Sequence, residues 1–292
     1  MSTPTLPATP RPARMSGAPA PTRRHSPISG STAGRITVLA VATFLTLGPV
    51  LWTVWVSLSP QASTGGGTQV GFAAYRDVAT QVRLGLLVLN SVLVTALCAI
   101  GQMLTAALAG YAFARIDFRG SKALFWIVLA TMMVPMQVTI VPVFMLIRGM
   151  GLSDTLLALI LPAVPTAFGT FLMRQYFLGL PSELGEAAAI DGAGPWRTFA
   201  SVYAPLAAPG LAIVGILAFN YHWNEFFRPL ILTISEENFT LPLGLVTLQG
   251  NLGTGSVSTV LAGVVISMIP ALLVFVFGQR PLREGLTAGA SK

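Results

Sequence analysis

Few residues in this 292-residue sequence could do chemistry, and they do not form a recognisable catalytic set. His25 and His222 are far apart in the sequence, and the single cysteine, Cys98, lies within a long uncharged stretch. Glu236 and Glu237 are adjacent carboxylates, but such a pair is more often solvated in a loop than catalytic. A Gly-x-x-x-x-Gly-Lys-Ser/Thr phosphate loop does not occur in the sequence. We therefore expect no metal site, no bound cofactor and no ATP hydrolysis by this chain.

A second unusual feature is the segment 181–205, which is polar and rich in Ala and Gly and lies between two long apolar runs. Helix-forming residues precede Gly192, which suits the left-handed position after a helix end, and Pro195 suits the first turn of another helix. Ser182 is a candidate N-cap, and Glu186 places negative charge near the positive end of the first helix dipole. The pattern predicts two short helices joined by a glycine hinge, which either lie on lipid or dock on another protein.

The side chains of this segment favour contact with a protein. Residues at i, i+3, i+4 and i+7 share one face of the first helix: Leu184, Ala187, Ala188 and Asp191. Small side chains on that face would let a partner backbone approach closely. Trp196 and Phe199 are three residues apart and would form an exposed apolar patch of the kind that anchors interfaces. The alternative is that both rings pack back onto the chain's own helices.

Composition places the segment in an integral membrane protein. The chain is 53% hydrophobic and 9% charged, with a mean hydropathy of +0.73. Uncharged apolar stretches of about 18 or more residues indicate spanning helices. We expect an all-α fold with six of them: 36–58, 87–113, 124–147, 155–173, 206–219 and 260–277. The net charge of +7 does not indicate nucleic-acid binding, because the basic residues are scattered among the apolar segments and form no aromatic-basic patch.

The distribution of Lys and Arg predicts the orientation in the bilayer. With both termini in the cytoplasm, thirteen of the 17 basic residues lie inside and four lie outside, in agreement with the positive-inside rule. The four are Arg76, Arg83, Arg148 and Arg228. Residues 1–34 are rich in Pro, Ser, Thr and Ala and are predicted to be a disordered cytoplasmic tail, followed by a membrane domain at 35–292. The segment 181–205 is then also cytoplasmic.

The same segment resembles the EAA motif of the membrane-spanning subunits of bacterial ABC importers. That motif reads Glu-Ala-Ala, three residues, Gly, nine residues, then Ile-x-Leu-Pro. Here Glu186-Ala187-Ala188 is followed at the family spacing by Gly192 and by Val202-Tyr203-Ala204-Pro205. Val202 replaces Ile and Ala204 replaces Leu, so the Glu, both Ala, the Gly and the Pro match.

The resemblance extends from about residue 36 to the end of the chain and is closest to the sugar-transporting branch. Three shorter matches indicate that branch: Ile190-Asp191-Gly192-Ala193, Trp223-Asn224-Glu225-Phe226 and Gly285-Leu286-Thr287-Ala288-Gly289-Ala290. It implies the fold of a type I ABC importer permease, known as MetI-like, in the bacterial cytoplasmic membrane. It also implies alternating access driven by a separate ATPase that binds ATP and Mg²⁺, together with a second, usually different permease subunit and an extracytoplasmic solute-binding protein.

The resemblance assigns ATPase coupling to residues of the EAA segment: Glu186, Ala187, Ala188, Asp191, Gly192, Trp196, Phe199 and Pro205. For the sugar pathway, amide and aromatic side chains are the candidates: Asn90, Gln137, Asn220, Tyr221, Trp223 and Asn224. Hydrogen bonding between helices is the alternative role for each. A permease for a non-sugar solute remains an alternative. A secondary carrier is less favoured, because the predicted spans lack mid-span ionisable residues, and a membrane enzyme ranks third.

Overall fold

The computed structural model describes residues 32–59, 70–250 and 256–290. The predicted tail at 1–34 therefore lies almost wholly outside the described residues. Contacts divide the chain into two units, Met1–Gly48 and Pro49–Lys292. In the first unit the described residues form the N-terminal half of a long helix, and residues 34–47 are exposed although most are apolar. Side chains of this kind are suited to contact with lipid.

All regular elements in the described residues are helical. The first seven α-helices are α1 (Thr32–Leu58), α2 (Ala73–Gln81), α3 (Leu84–Arg115), α4 (Ser121–Thr131), α5 (Met136–Gly149), α6 (Leu156–Ile160) and α7 (Ala167–Gly179). The next seven are α8 (Glu183–Ile190), α9 (Pro195–Thr198), α10 (Ala204–Leu206), α11 (Ala208–Trp223), α12 (Phe227–Leu232), α13 (Leu241–Val246) and α14 (Val257–Ala290). A π-turn (Phe199–Tyr203) joins α9 to α10, and 3₁₀ turns occur at Leu161–Ala163, Glu236–Asn238 and Thr247–Gln249.

Three of the described helices are long and apolar enough to cross a membrane alone, and three bent pairs could each count as a further span. The single spans are Gly34–Leu58, Leu84–Arg115 and Val257–Gly278. The pairs are Ser121–Thr131 with Met136–Gly149, bent by 100°, Leu156–Ala163 with Ala167–Gly179, bent by 41°, and Pro195–Leu206 with Ala208–Trp223, bent by 73°. The described chain thus offers up to six spans, the number predicted.

Several predicted boundaries were wrong, chiefly at prolines. The expected third span at 124–147 is two helices, because Pro135 is extended (ψ 139°) and stands at the N-cap of α5. α4 has no buried side chain. The fifth helix continues to Trp223, beyond the predicted end at 219. The last helix continues to Ala290, but its candidate membrane span, Val257–Gly278, agrees with the predicted 260–277.

α3 is the central element of the fold and packs most extensively against α7 and α11. Three buried clusters lie along it. The first joins α3 to α7 and the π-turn, the second to α2, α13 and α14, and the third to α5, α6 and α12. Gly110 of α3 allows a close approach to α7, because a Cβ atom there would lie 2.6 Å from Cβ of Met173 and 2.9 Å from the backbone nitrogen of Arg174.

The segment after α12 is held to the rest of the chain by polar contacts. Asp154 has a positive φ of 55°, and its Oδ1 accepts hydrogen bonds from the backbone nitrogens of Ile234 (2.9 Å) and Ser235 (3.0 Å). The hydroxyl of Ser235 also donates to Asp154, and the amide of Asn238 donates to its carbonyl oxygen at 2.7 Å. These bonds, led by the one from Ile234, lower the pKa of Asp154 to about 2. The carboxylate is thus the hub that fixes this segment.

Candidate coupling segment and candidate solute-contact residues

The segment 181–205 forms two short helices around a glycine turn, as the sequence predicted. The backbone nitrogen of Gly192 donates to the carbonyl of Ala189 at 3.0 Å, and that of Ala193 donates to Ala188 at 2.9 Å. This pair of bonds is a Schellman motif, which requires a left-handed residue after the helix, and Gly192 has a φ of 74°. Pro195 begins α9. Ser182 is the N-cap residue of α8, as predicted, although its side chain makes no capping hydrogen bond.

The second half of the segment is anchored by aromatic residues. Phe199 and Tyr203 are buried, and their ring centroids lie 5.0 Å and 5.5 Å from that of Tyr111 on α3. The hydroxyl of Tyr111 donates to the carbonyl of Pro195 at 3.3 Å. Arg115, one turn further along α3, places its guanidinium 5.0 Å from the Tyr203 ring centroid and donates to the carbonyl of Phe177 at 2.6 Å. The segment is therefore tied to the central helix.

This burial corrects one sequence-based expectation. Trp196 and Phe199 do not form an exposed aromatic pair: Trp196 is 68% exposed, but Phe199 is only 8% exposed. The two rings still touch, with centroids 5.6 Å apart. Phe199 therefore links the exposed ring of Trp196 to the buried core.

The large exposed apolar side chains of the segment are instead Trp196 and Ile190, which is 87% exposed at the end of α8. A neighbouring cleft of about 350 Å³ is lined by residues from both helices and the π-turn: Leu184, Ala187, Ala188, Asp191, Ala193, Arg197, Ser201 and Val202. This cleft includes all four residues predicted to share one helix face. An exposed isoleucine and tryptophan beside a cleft can receive the side chains of another protein.

The remaining candidate coupling residues differ in exposure. Glu186, Ala187, Asp191 and Pro205 are exposed, whereas Ala188 is buried. The carboxylates of Glu186 and Asp191 thus lie at the surface, where they can meet basic groups of a partner. Ala188 packs within the chain.

Two of the six candidate solute-contact residues are engaged within the fold. Asn90 is buried, and its amide nitrogen donates to the carbonyls of Glu237 (2.7 Å) and Phe239 (3.0 Å). Trp223 is also buried, stacks on Phe219 with ring centroids 5.6 Å apart, and donates to the carbonyl of Ser267 at 2.9 Å. These contacts are of the helix-to-helix kind that the sequence left open as the alternative.

The other four candidates are exposed and lie on two elements. Asn220, Tyr221 and Asn224 lie at or just after the end of α11, and Asn224 donates to the carbonyl of Asn220 at 2.8 Å. Gln137 lies in the first turn of α5. The hydroxyl of Tyr221 reaches Met136 of that same turn, 3.8 Å from its sulfur. The structure thus brings the end of α11 close to the start of α5.

A buried polar network at the end of α11 was missed by the sequence analysis. Nδ1 of His222 lies 3.1 Å from Oε2 of Glu225, and Nε2 lies 3.0 Å from the amide nitrogen of Gln102. Arg228 forms a two-pronged pair with Glu225, through Nε to Oε1 at 2.8 Å and through Nη2 to Oε2, and it donates to the carbonyl of Leu159 at 2.8 Å. The spacing of 222, 225 and 228 was a usable signal, because three-residue steps bring side chains together across a helix end.

The network joins α11 to the break in the bent pair α6–α7. Gln102 donates to the carbonyl of Ala163 at 2.8 Å, within the 3₁₀ turn that follows α6. Arg228 was counted among the outer-loop cations, but it is 5% exposed and ion-paired. Carbonyls freed at the Pro162 break therefore find side-chain donors inside the protein.

Comparison with known proteins agrees with this architecture. Residues 102–282 match the model of the family described as binding-protein-dependent transport system inner membrane component. The match covers more than half of the chain, so the protein belongs to that family, and its MetI-like fold is that of ABC importer permeases. It is a transport subunit with several membrane helices. Family membership favours the importer over the secondary carrier and the membrane enzyme.

Several similar proteins are named as permeases for sugars or oligosaccharides. An arabinooligosaccharides transport system permease protein of Halalkalibacterium halodurans is 38% identical over 203 residues, covering 70% of this chain and 72% of that protein. A trehalose transport system permease protein of Mycobacterium tuberculosis is 33% identical, covering 89% of this chain and 99% of that protein. Among solved structures, a bacterial ABC transporter involved in the import of the acidic polysaccharide alginate matches with a TM-score of 0.76 and 25% identity, covering 86% of this chain and 98% of that one.

Proposed function

We propose that this chain is the permease subunit of an ATP-driven importer that moves a sugar or oligosaccharide across the bacterial cytoplasmic membrane by alternating access. The observation that carries the proposal is the segment 181–205, which combines the EAA spacing with an exposed apolar surface and a firm attachment to α3. Family membership and the sugar names of the relatives support the substrate class.

The coupling partner in this proposal is a separate ATPase, which binds ATP and Mg²⁺. The exposed side chains of Ile190 and Trp196 enter its surface, and Glu186 and Asp191 face its basic groups. Because Phe199 and Tyr203 pack on Tyr111 of α3, a displacement of the segment is passed to the helix that contacts most of the core. A rocking motion driven by ATP binding thereby reaches the membrane helices.

The proposed assembly also contains a second permease subunit, different from this chain, and an extracytoplasmic solute-binding protein that delivers the sugar. Both termini and the segment 181–205 face the cytoplasm. The positive-inside count supports that orientation. In this assembly the solute-binding protein determines most of the solute specificity, and the permease transports the solute that the binding protein delivers.

The decisive experiment is a ligand screen of the solute-binding protein encoded beside this chain, followed by uptake into proteoliposomes that contain the complete transporter. We expect a mono- or oligosaccharide to bind, and its uptake to require ATP, the binding protein and this subunit. An amino acid or an inorganic ion as the sole ligand would overturn the sugar assignment and leave the importer assignment intact. Uptake that continues without the ATPase would overturn the importer assignment itself.

A further inference from the structure

A small cleft lies where α11 ends, α5 begins and the bent pair α6–α7 breaks. Its volume is about 220 Å³, and its lining includes Gln102, Thr139, Ile140, Pro162, Tyr221 and Arg228. We call it the α5–α11 cleft. From Ala208 to Tyr221 an α-helix rises by about 20 Å, so the cleft is separated from the candidate coupling segment by most of a bilayer's hydrocarbon thickness.

The polar side chains of the cleft are held in place by the chain's own contacts. Arg228 is 5% exposed, and its position is fixed by Glu225 and the carbonyl of Leu159. One of the two Nη1 hydrogens goes to Leu159, which leaves the second for a ligand oxygen. Thr139 donates its hydroxyl to the carbonyl of Met136 at 3.1 Å, so its oxygen still accepts. Donors and acceptors therefore converge on the cleft in fixed orientations.

The charge balance of the cleft favours an uncharged ligand. The guanidinium of Arg228 is already paired with the Glu225 carboxylate, which sits within the network and is 8% exposed in its side chain. An anion would have to compete with that carboxylate, whereas hydroxyl groups need only a hydrogen bond. The apolar part of the lining, which includes Ile140, Pro162 and the half-exposed ring of Tyr221, suits the C–H face of a sugar ring.

We propose that the α5–α11 cleft binds a single ring unit of a neutral sugar during its passage through this subunit. Its volume lies below the range of about 300–1,000 Å³ usual for larger ligands, so it accommodates one ring of an oligosaccharide at a time. This inference rests on the proposed function, because it takes a sugar as the transported solute. Of the residues that the sequence singled out for solute contact, only Tyr221 lines the cleft.

A cysteine-protection experiment on the complete transporter tests the cleft directly. Thr139→Cys is introduced with Cys98→Ala, and the rate of maleimide labelling is measured with and without the sugar identified in the binding-protein screen, beginning with trehalose and arabinotriose. Val138→Cys is the matched control, because Val138 is the neighbouring residue, is 67% exposed and does not line the cleft. We expect the sugar to slow labelling of the Thr139→Cys variant about fivefold or more and to leave the control unchanged.

A second measurement tests the proposal even if the Thr139→Cys variant does not assemble. Thr139→Val, which removes a hydrogen-bonding group, and Tyr221→Ala, which removes the ring that faces the sugar, should each lower the uptake rate at saturating sugar by about two- to tenfold, with an unchanged rate of binding-protein-stimulated ATP hydrolysis. Val138→Thr, at the neighbouring position that does not line the cleft, should transport within about twofold of the parent chain. Tyr221→Phe keeps the ring and should retain more uptake than Tyr221→Ala.

The possible failures separate the two proposals. If the parent transporter takes up the sugar but the sugar protects neither cysteine and both cleft substitutions transport normally, the cleft assignment is wrong and the importer proposal stands. If the screen yields no sugar and the transporter takes up none, the cleft assignment and the sugar assignment are both wrong, and the importer assignment is then decided by whether uptake of the other solute requires the ATPase.

Discussion

Replacement of Gly192 tests whether the left-handed turn of the coupling segment is what a partner recognises. A Cβ atom built at Gly192 meets no heavy atom within 4 Å, so a side chain there has space. The cost of substitution is therefore confined to the backbone, whose φ of 74° is unfavourable for a residue with a β-carbon by about 1–2 kcal/mol. A β-branched residue costs more than alanine in this region.

The same free energy sets the size of the functional defect. Phe199 and Tyr203 anchor the segment beyond the turn, so a variant at Gly192 still folds and enters the membrane. If the ATPase binds only the left-handed turn, the competent fraction of Gly192→Ala falls by about 5- to 30-fold, and the apparent affinity falls by the same factor. We expect Gly192→Asn to lose little, because asparagine tolerates this conformation, and Gly192→Val to lose most.

The assay is the dissociation constant of the purified ATPase for the purified permease subunits in detergent or nanodiscs. Gly194→Ala is the matched control, because Gly194 lies two residues away, also has open space for a Cβ, and has a φ of −71° and ψ of 167° that alanine before proline adopts readily. Equal affinity of Gly192→Val and Gly194→Ala would refute the argument, since both add a side chain to the same turn and only one strains it.

Three further outcomes are expected. Ile190→Ser removes an 87% exposed apolar side chain, so it should weaken ATPase binding without lowering the melting temperature, whereas Phe199→Ala should destabilise the subunit by about 3–5 kcal/mol in chemical unfolding. Because the pKa of Asp154 is lowered from 3.8 to about 2, its ionised form stabilises the contacts to 234–238 above pH 3.8. Hydrogen-exchange protection of those amides should stay constant from pH 7 to 4 and decline as the pH falls towards 2. Glu225→Gln should lower stability by about 3–5 kcal/mol, because it leaves the Arg228 guanidinium buried and unpaired, and the double variant with Arg228→Met should recover part of that loss in thermal unfolding.

Each of these three predictions would be contradicted by a specific result. A stability loss for Ile190→Ser equal to that of Phe199→Ala would mean that the exposed isoleucine packs within the subunit. Protection at 234–238 that declines already between pH 7 and 5 would point to a titrating group other than Asp154. Strict additivity of the Glu225 and Arg228 substitutions would show that the two side chains do not stabilise each other.

Local signals in the sequence predicted the coupling segment well. A helix that ends in a Schellman motif requires a left-handed residue directly after its end. Gly192 satisfies this requirement, so the glycine turn could be predicted from the local sequence. The start of α9 at Pro195 was predicted from the local sequence in the same way. The burial of Phe199 was not accessible in this way, because it depends on Tyr111, which is 88 residues earlier in the chain and touches the segment only once α3 and α7 have packed.

The polar network illustrates the same limit on a larger scale. Hydropathy placed His222 and Arg228 outside the membrane helices, since it scores each residue by its transfer cost and ignores pairing. The structure buries both because Glu225 and Gln102 supply partners, one local and one 120 residues distant. The bent spans show a related limit: a proline in the sequence marks a break, but it does not give the angle, which is 100° between α4 and α5.

The order of synthesis gives the Glu225–Arg228 pair a consequence for membrane insertion. The two charges are three residues apart, so they can pair without any distant part of the chain. Leu159 and Gln102, which complete the set of partners, lie earlier in the chain and have by then already been made. Glu225 and Arg228 are therefore the last members of the network to be made, and every member precedes α14 in the chain, so the network can form before α14 is complete.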